Sequence, residues 1–191
     1  FVYVPVLQIL KLYSMHMYVD FSHWVEILWN ILQSGLPLSQ SSEFYLEGTE
    51  NYFSTHFVPL FYLLAVPFKI WPTGETLIVM SFLIIVSSII PLWKLSMCFG
   101  FDKNMSLIWL VIFLWNVTIQ YITIYEFDML RFSIPVFLWI LYFLEQRKWG
   151  LFYVLLIMAL MIREDISLTV FMFGLYLCFF LKDLRRGLPI V

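Results

Sequence analysis

The first residues that could do chemistry are the carboxylates of the segment YVDFSHWVEILWNILQSGLP. Large apolar residues recur on one side of it at helical spacing: Trp24, Ile27, Leu28, Ile31 and Leu32. The more polar side carries Asp20, His23, Glu26 and Asn30. The pattern predicts an amphipathic helix that ends near Gly35 and Pro37. Such a helix could simply pack in the membrane interface, but Asp20 at its start could also act as a general base toward a membrane-embedded substrate.

A second group of charges, Arg163, Glu164 and Asp165, stands between two strongly apolar runs, GLFYVLLIMAL and TVFMFGLYLCFF. One charge at the middle of a bilayer costs roughly 3 kcal/mol, so the triplet is expected where a helix leaves the membrane. Asp165 could merely cap the helix that follows, and Arg163 could be its partner across the turn.

Composition predicts that apolar transmembrane helices position these residues. Hydrophobic residues make up 62% of the 191 residues and charged residues only 13%, so the chain is far more apolar than an ordinary soluble domain. A net charge of −2 without a Lys/Arg-rich run argues against nucleic acid as a partner. Cys98 and Cys178 are interpreted as small apolar packing residues.

The expected fold class is all-α, a polytopic transmembrane helical bundle. Apolar helices are predicted at about 75–94, 104–123, 131–145, 149–163 and 166–182. The apolar segment 57–71 contains Pro59, Pro67 and Lys69, which favours a helix lying in the interface over one that crosses.

Charges then separate onto two faces. If 57–71 does not cross, one face receives seven of the eleven basic residues: Lys94, Lys103, Arg147, Lys148, Lys182, Arg185 and Arg186. The other face receives nine of the thirteen carboxylates: Asp20, Glu26, Glu43, Glu47, Glu50, Glu126, Asp128, Glu164 and Asp165. The positive-inside rule makes the basic face cytoplasmic and the acidic face extracytoplasmic.

One transmembrane domain is expected over 1–191, as a fragment of a larger protein. Residues 1–15 are predicted to end a first transmembrane helix, and 16–74 to form a large external loop with interfacial helices. About five transmembrane helices follow over 75–182, and 183–191 begin the next segment.

Four stretches occur in order along the chain: YVDFSHWVEILWN, LEGTENYFSTHFVPLFYLLAVPF, YEFDMLRFSIP and IREDISL. Together they resemble the successive motifs of an uncharacterised family of prokaryotic polytopic membrane proteins, a domain of unknown function placed in the GT-C glycosyltransferase superfamily. The matching positions are Asp20, Trp29 and Asn30, then His56, Phe57 and Pro59, then Glu126, Phe127 and Asp128, then Arg163, Glu164 and Asp165.

The chain departs from that pattern at three positions. Glu26 stands where the family has Gln, and Glu126 stands where the third motif has its first Asp. Asp128 stands where the same motif has His, which removes a possible base or metal ligand from that turn.

The resemblance implies an integral membrane glycosyltransferase that moves a sugar from a polyprenyl-phosphate carrier to an extracytoplasmic acceptor. Asp20, Glu126 and Asp128 would be its catalytic carboxylates. His56, Arg163, Glu164, Asp165 and Glu26 would bind substrate, with His56 and Arg163 on the carrier phosphate. If a divalent metal ion takes part, Asp20 and Asp128 are its first candidate ligands.

A transporter or a non-catalytic lipid-handling membrane protein is the alternative. Transporters usually place ionisable groups at mid-bilayer beside broken helices and show internal repeats, whereas these charges stand at predicted helix ends. The sequence leaves the sugar, the acceptor and the oligomeric state open.

Overall fold

The computed structural model describes residues 3–17, 19–40 and 50–191, and this part of the chain is helical and forms no strand. An all-α fold is therefore confirmed. The helices are α1 (Tyr3–Tyr13), α2 (Val19–Ser34), α3 (Phe61–Ile70), α4 (Gly74–Cys98), α5 (Lys103–Trp115), α6 (Val117–Ile124), α7 (Ser133–Glu145), α8 (Trp149–Leu160), α9 (Ile166–Phe179) and α10 (Leu184–Gly187). Two short 3-10 turns, Tyr52–Ser54 and Met129–Phe132, precede α3 and α7.

Helix α2 is the amphipathic helix that the sequence predicts. Trp24, Ile27 and Leu28 are buried, whereas Asp20 in the first turn is exposed. Gly35 ends the helix with a φ of +77°, a left-handed conformation that glycine adopts without a steric penalty. The buried side of α2 packs on α3, so the segment before the apolar helices joins the main core.

The predicted helix over 104–123 is broken in the structure. Asn116 has extended backbone dihedral angles, and its side-chain oxygen accepts hydrogen bonds from the N–H groups of Thr118 and Ile119 at 2.9 and 3.4 Å. This is an N-cap, so α6 starts anew and bends by 50° from α5. The apolar pattern continues through the break and therefore does not reveal it.

By length and composition, α4 is the helix of the described chain that could cross a membrane by itself, with 25 residues. The bent pair of α5 and α6 passes the same test when it is counted as one span. Three further apolar helices, α3, α8 and α9, have only 10 to 14 residues. A span needs about 20 residues, so the five expected transmembrane helices are matched by one or two of sufficient length.

Several helices nevertheless present apolar side chains outward. On α5 the side chains of Val111 and Trp115 are 59% and 76% exposed, and on α9 Leu168 is 63% exposed. Contiguous exposed apolar surface of this kind is unusual for a soluble monomer and suits contact with lipid.

The helix ends collect at two poles of the bundle. At one pole Cys98 at the end of α4 accepts a hydrogen bond from Gln146, just after α7. At the other pole the N–H of Leu60 donates to the carbonyl of Met161, which follows α8. We call the second pole the acidic end, since it carries the motif carboxylates, and the first the basic end.

Candidate functional site

The candidate site at the acidic end is organised around Tyr52. Asn51 caps the 3-10 turn by accepting the N–H of Phe53 at 3.0 Å, and the N–H of Tyr52 donates to the carbonyl of Pro37 at 2.9 Å. These bonds fix the turn against the segment that follows α2. The Tyr52 side chain is thereby buried, with 5% of its surface exposed.

Rings of the first and second motifs surround Tyr52, and Trp24 links them to a ring of the third. Its ring centroid lies 4.9 Å from His23, 5.5 Å from Trp24 and 5.9 Å from His56. Trp24 in turn lies 6.3 Å from Phe127 of the third motif. Edge-to-face contacts at these distances stabilise aromatic clusters, so segments far apart in sequence are packed into one unit.

Charges of the other three motifs also act on the Tyr52 hydroxyl. Burial raises its pKa well above the ordinary value, an effect that nearby carboxylates increase and a guanidinium opposes. The charged groups concerned are Arg163, Asp128, Glu164 and Asp20. The hydroxyl therefore keeps its proton at neutral pH and remains a hydrogen-bond donor.

Glu164 joins the second and fourth motifs directly. One carboxylate oxygen lies 2.5 Å from Nδ1 of His56, and the other accepts the N–H of Phe57 at 2.9 Å. Partial burial raises the pKa of Glu164, but the hydrogen bonds from His56 and Phe57 outweigh burial, so the pKa lies below its ordinary value. The carboxylate is therefore ionised at neutral pH and holds both motifs together.

Arg163 and Asp165 form an ion pair across the turn, as the sequence predicts. Nε of Arg163 donates to Oδ2 of Asp165 at 2.7 Å, and Nη2 donates to the same oxygen. Asp165 occupies the N-cap position of α9 but makes no capping hydrogen bond with its side chain, so the capping interpretation is wrong. A phosphate that accepts hydrogen bonds from Nε and Nη2 of Arg163 must displace Asp165.

His56, Glu164 and Asp165 are the described residues best arranged to hold a metal ion. Their ligand atoms all lie within 4.8 Å of one another. One imidazole nitrogen and two carboxylate oxygens suit a divalent cation. Asp20 and Asp128 belong to no such three-residue group within the described ranges.

Arg131 anchors the turn that carries Glu126 and Asp128. Its side chain is 2% exposed and donates to the Ser81 hydroxyl on α4, to the carbonyl of Tyr125 at 2.8 Å and to the carbonyl of Glu126. Burial lowers the pKa of Arg131 to about 10, and nearby carboxylates limit that fall, so the guanidinium is charged at neutral pH.

The two predicted catalytic acids of this turn have different surroundings. Glu126 is 3% exposed, whereas Asp128 is partly exposed and caps the Met129–Phe132 turn by accepting the N–H of Leu130 at 2.7 Å. Asp128 also borders a cavity of about 310 Å³ whose other walls include Tyr121, Tyr125 and Ile134. Of the two acids, Asp128 is the one open to a ligand.

Glu26 is hydrogen-bonded within the fold. Its carboxylate accepts the Ser39 hydroxyl at 2.7 Å and the N–H of Gln40 at 3.1 Å. Ser39 also lies 2.7 Å from Nδ1 of His23, whose pKa is lowered by burial and raised in part by Glu26 and Asp20. Glu26 thus holds the chain after α2 in position. Its place in substrate binding stays a prediction.

Asp20 is exposed, as are Glu164 and Asp165 of the same site. It stands in the first turn of α2, where the helix dipole favours a carboxylate. It lies one helical turn before His23 and Trp24, whose rings contact Tyr52, so it stands at the edge of the buried cluster. Glu43 and Glu47, which were expected on the same face, lie outside the described residues.

A family of predicted membrane proteins, DUF2079, matches residues 11–189. The chain belongs to this family. Comparison with curated proteins and with solved structures gives no match. The DUF2079 match confirms the part of the resemblance that concerns a membrane protein family of unknown function, and it covers all four motif stretches.

Tyr52, Arg131 and Ser39 are the members of this DUF2079 site that sequence reasoning missed. Tyr52 stands in the second motif stretch, four residues before His56, and Arg131 stands in the third. A base inside an apolar stretch, as in DMLRFSIP, is a usable signal because an unpaired charge there is costly. Ser39 gives no comparable signal in the sequence.

Glu164→Gln should lower stability by about 1 kcal/mol at neutral pH, a modest loss because the group is partly exposed. The carboxylate's pKa is depressed in the folded protein, so its contribution is present above the ordinary value of 4.5 and is lost as pH falls through the folded pKa. Thermal unfolding of parent and variant should therefore converge in acid. The control is Glu145→Gln, at the exposed end of α7. An equal loss of stability in this variant would show that Glu164 has no specific role.

Proposed function

We propose that the protein is a multi-pass membrane glycosyltransferase of GT-C type that acts on a polyprenyl-phosphate-linked sugar. The observation that carries the proposal is that the four motifs pack together at the acidic end. His56 bonds Glu164, and Trp24 contacts both Tyr52 and Phe127. This packing brings the charges of Asp20, Asp128 and Arg163 near Tyr52. A transferase of this kind needs a base for the acceptor and cations for the leaving phosphate, close together at the membrane surface. The acidic end offers both.

The proposed reaction divides these roles among the chain's own residues. Asp20 takes the proton of the acceptor hydroxyl as its oxygen bonds to the anomeric carbon. The bond from that carbon to the phosphate oxygen breaks, and polyprenyl phosphate leaves with the bonding electrons. Arg163 and His56 bind this phosphate, and Asp128 orients the sugar from the opposite side. If a divalent ion were held by His56, Glu164 and Asp165, the imidazole would be a neutral ligand, and the ion would take the place of His56 in supplying positive charge to the phosphate.

Catalysis at the acidic end requires that this end be extracytoplasmic and that α4 and its neighbours cross the membrane. The placement of seven basic residues toward the opposite end supports this orientation. The apolar outer surfaces of α5 and α9 support contact with lipid.

Single cysteines in a background without Cys98 and Cys178 test the orientation. Thr55→Cys at the acidic end should react with an impermeant thiol reagent on sealed cells, and Gln146→Cys only after permeabilisation. Both positions are exposed and therefore accessible to the reagent. Equal labelling of both positions on sealed cells would contradict the topology.

Arg163 variants test the carrier site. Because a guanidinium binds phosphate through two parallel hydrogen bonds, Arg163→Ala should weaken polyprenyl-phosphate binding by about tenfold and Arg163→Lys by less. Asp165→Asn removes the competing carboxylate and should strengthen binding. The measurement is equilibrium binding of polyprenyl phosphate to the purified variants. If both Arg163 variants bind like the parent, Arg163 is only a helix-end charge.

A further inference from the structure

A second cavity lies at the basic end, remote in the fold from the Tyr52 cluster. It has a volume of about 640 Å³ and opens between the end of α4, α5 and the end of α7. Its polar groups are Lys94, Tyr142, Gln146 and Cys98, and the rest of its lining is apolar or aromatic. None of these residues takes part in the site described above.

Lys94 supplies a positive charge that the fold does not neutralise. Its ammonium lies 5.7 Å from the centroid of the Tyr142 ring, a cation–π contact that orients the side chain. Among the described residues, no carboxylate comes within ion-pair distance of Lys94. The ammonium is exposed and is available to an anionic ligand.

The surrounding walls suit a hydrocarbon chain. Ile90 and Met97 line the cavity, and their side chains are 55% and 41% exposed. Exposing such apolar surface costs free energy in water but not beside lipid. Trp93 and Tyr142 are residue types enriched where a membrane meets water. A cation at the mouth of an apolar cavity matches a ligand with an anionic head and an apolar tail.

The charge balance of the basic end also favours an anionic ligand. Three acids stand among its seven bases, and two of them are already used within the fold. Asp102 caps α5 by accepting the N–H of Met105 at 2.7 Å, and Asp183 accepts a hydrogen bond from Arg186 at 2.5 Å. This end therefore keeps a positive surplus toward the membrane surface.

We propose that this cavity binds an anionic phospholipid, with the head-group phosphate on Lys94 and an acyl chain along Ile90 and Met97. The Gln146 amide, which donates to Cys98 at 3.1 Å, can turn to share the phosphate. Basic pockets between membrane helices recognise anionic head groups by this chemistry. The proposal rests on the chain's being a membrane protein and is independent of the proposed glycosyl transfer.

The rate at which Cys98 reacts with a thiol reagent reports whether the cavity is occupied. Cys98 is exposed in the lining of the cavity, contrary to its predicted packing role, whereas Cys178 is buried as predicted. A neutral maleimide should modify Cys98 about fivefold more slowly in phosphatidylglycerol nanodiscs than in phosphatidylcholine nanodiscs, the ratio that ~1 kcal/mol per lysine gives. A Cys98→Ser variant measures the background reaction.

Lys94→Gln should abolish the difference between the two lipids. Lys103→Gln is the matched control, since Lys103 is an exposed base at the same end that does not line the cavity, and it should keep most of the protection. Equal modification of the parent in both lipids, or full protection in Lys94→Gln, would overturn the proposal. Protection by inorganic phosphate in phosphatidylcholine would also overturn it, by assigning the cavity to a soluble anion.

Discussion

Asp20→Asn is expected to lower sugar transfer from a polyprenyl-phosphate donor by roughly two or more orders of magnitude. The acceptor must lose a proton as it attacks, and a carboxylate can take that proton whereas an amide of the same shape cannot. Binding of the carrier should survive, because Asp20 contributes no positive charge to a phosphate. Asp20 is exposed at the start of α2, so the variant should fold like the parent and the loss should lie in the reaction itself.

Glu26→Gln is the internal control for this experiment. Glutamine keeps one oxygen that can accept the Ser39 hydroxyl or the N–H of Gln40, so the segment after α2 should stay in place. Transfer should be within a few-fold of the parent. If Asp20→Asn transfers at the full rate while Glu26→Gln is inactive, the assignment of the base is wrong.

Arg131→Met is expected to have the largest effect on stability. The substitution leaves the carbonyls of Tyr125 and Glu126 and the Ser81 hydroxyl without their donor in a buried place. Each such loss costs about 1–3 kcal/mol, partly offset because a buried charge is also removed. We expect a net loss of about 3 kcal/mol, measured as a lower midpoint of thermal unfolding in detergent.

The matched control is Arg185→Met, which removes an exposed base at the basic end and should change the midpoint little. Arg131→Lys should be intermediate, because one ammonium cannot reach all three acceptors in the fork geometry of a guanidinium. A midpoint for Arg131→Met equal to that of Arg185→Met would show that the turn does not depend on this anchor.

The helical elements were largely predictable because apolar periodicity and charge spacing are local signals. The buried side of α2 and its end at Gly35 follow directly from the order of residue types. The pairing of Arg163 with Asp165 is likewise a contact within one turn. The break at Asn116 was missed because an asparagine N-cap inside an apolar run leaves hydropathy unchanged.

The site was predictable only in part, because its geometry depends on contacts between distant segments. Four motifs in order suggest one site, but the bond from Glu164 to His56 joins residues 108 positions apart. Tyr52 was missed because no local pattern marks which of many aromatic residues the fold will bury among charges. The role of Arg131 was missed because its acceptors on α4 and in the preceding turn appear only in three dimensions.

The most direct test of the central claim is a structure of the protein in lipid with bound polyprenyl phosphate. The account predicts density for the phosphate within hydrogen-bond distance of Arg163, between α2 and the Glu126–Asp128 turn, with the site of the sugar open to Asp20. Carrier bound only on the outer, lipid-facing surface, away from the Tyr52 cluster, would contradict it.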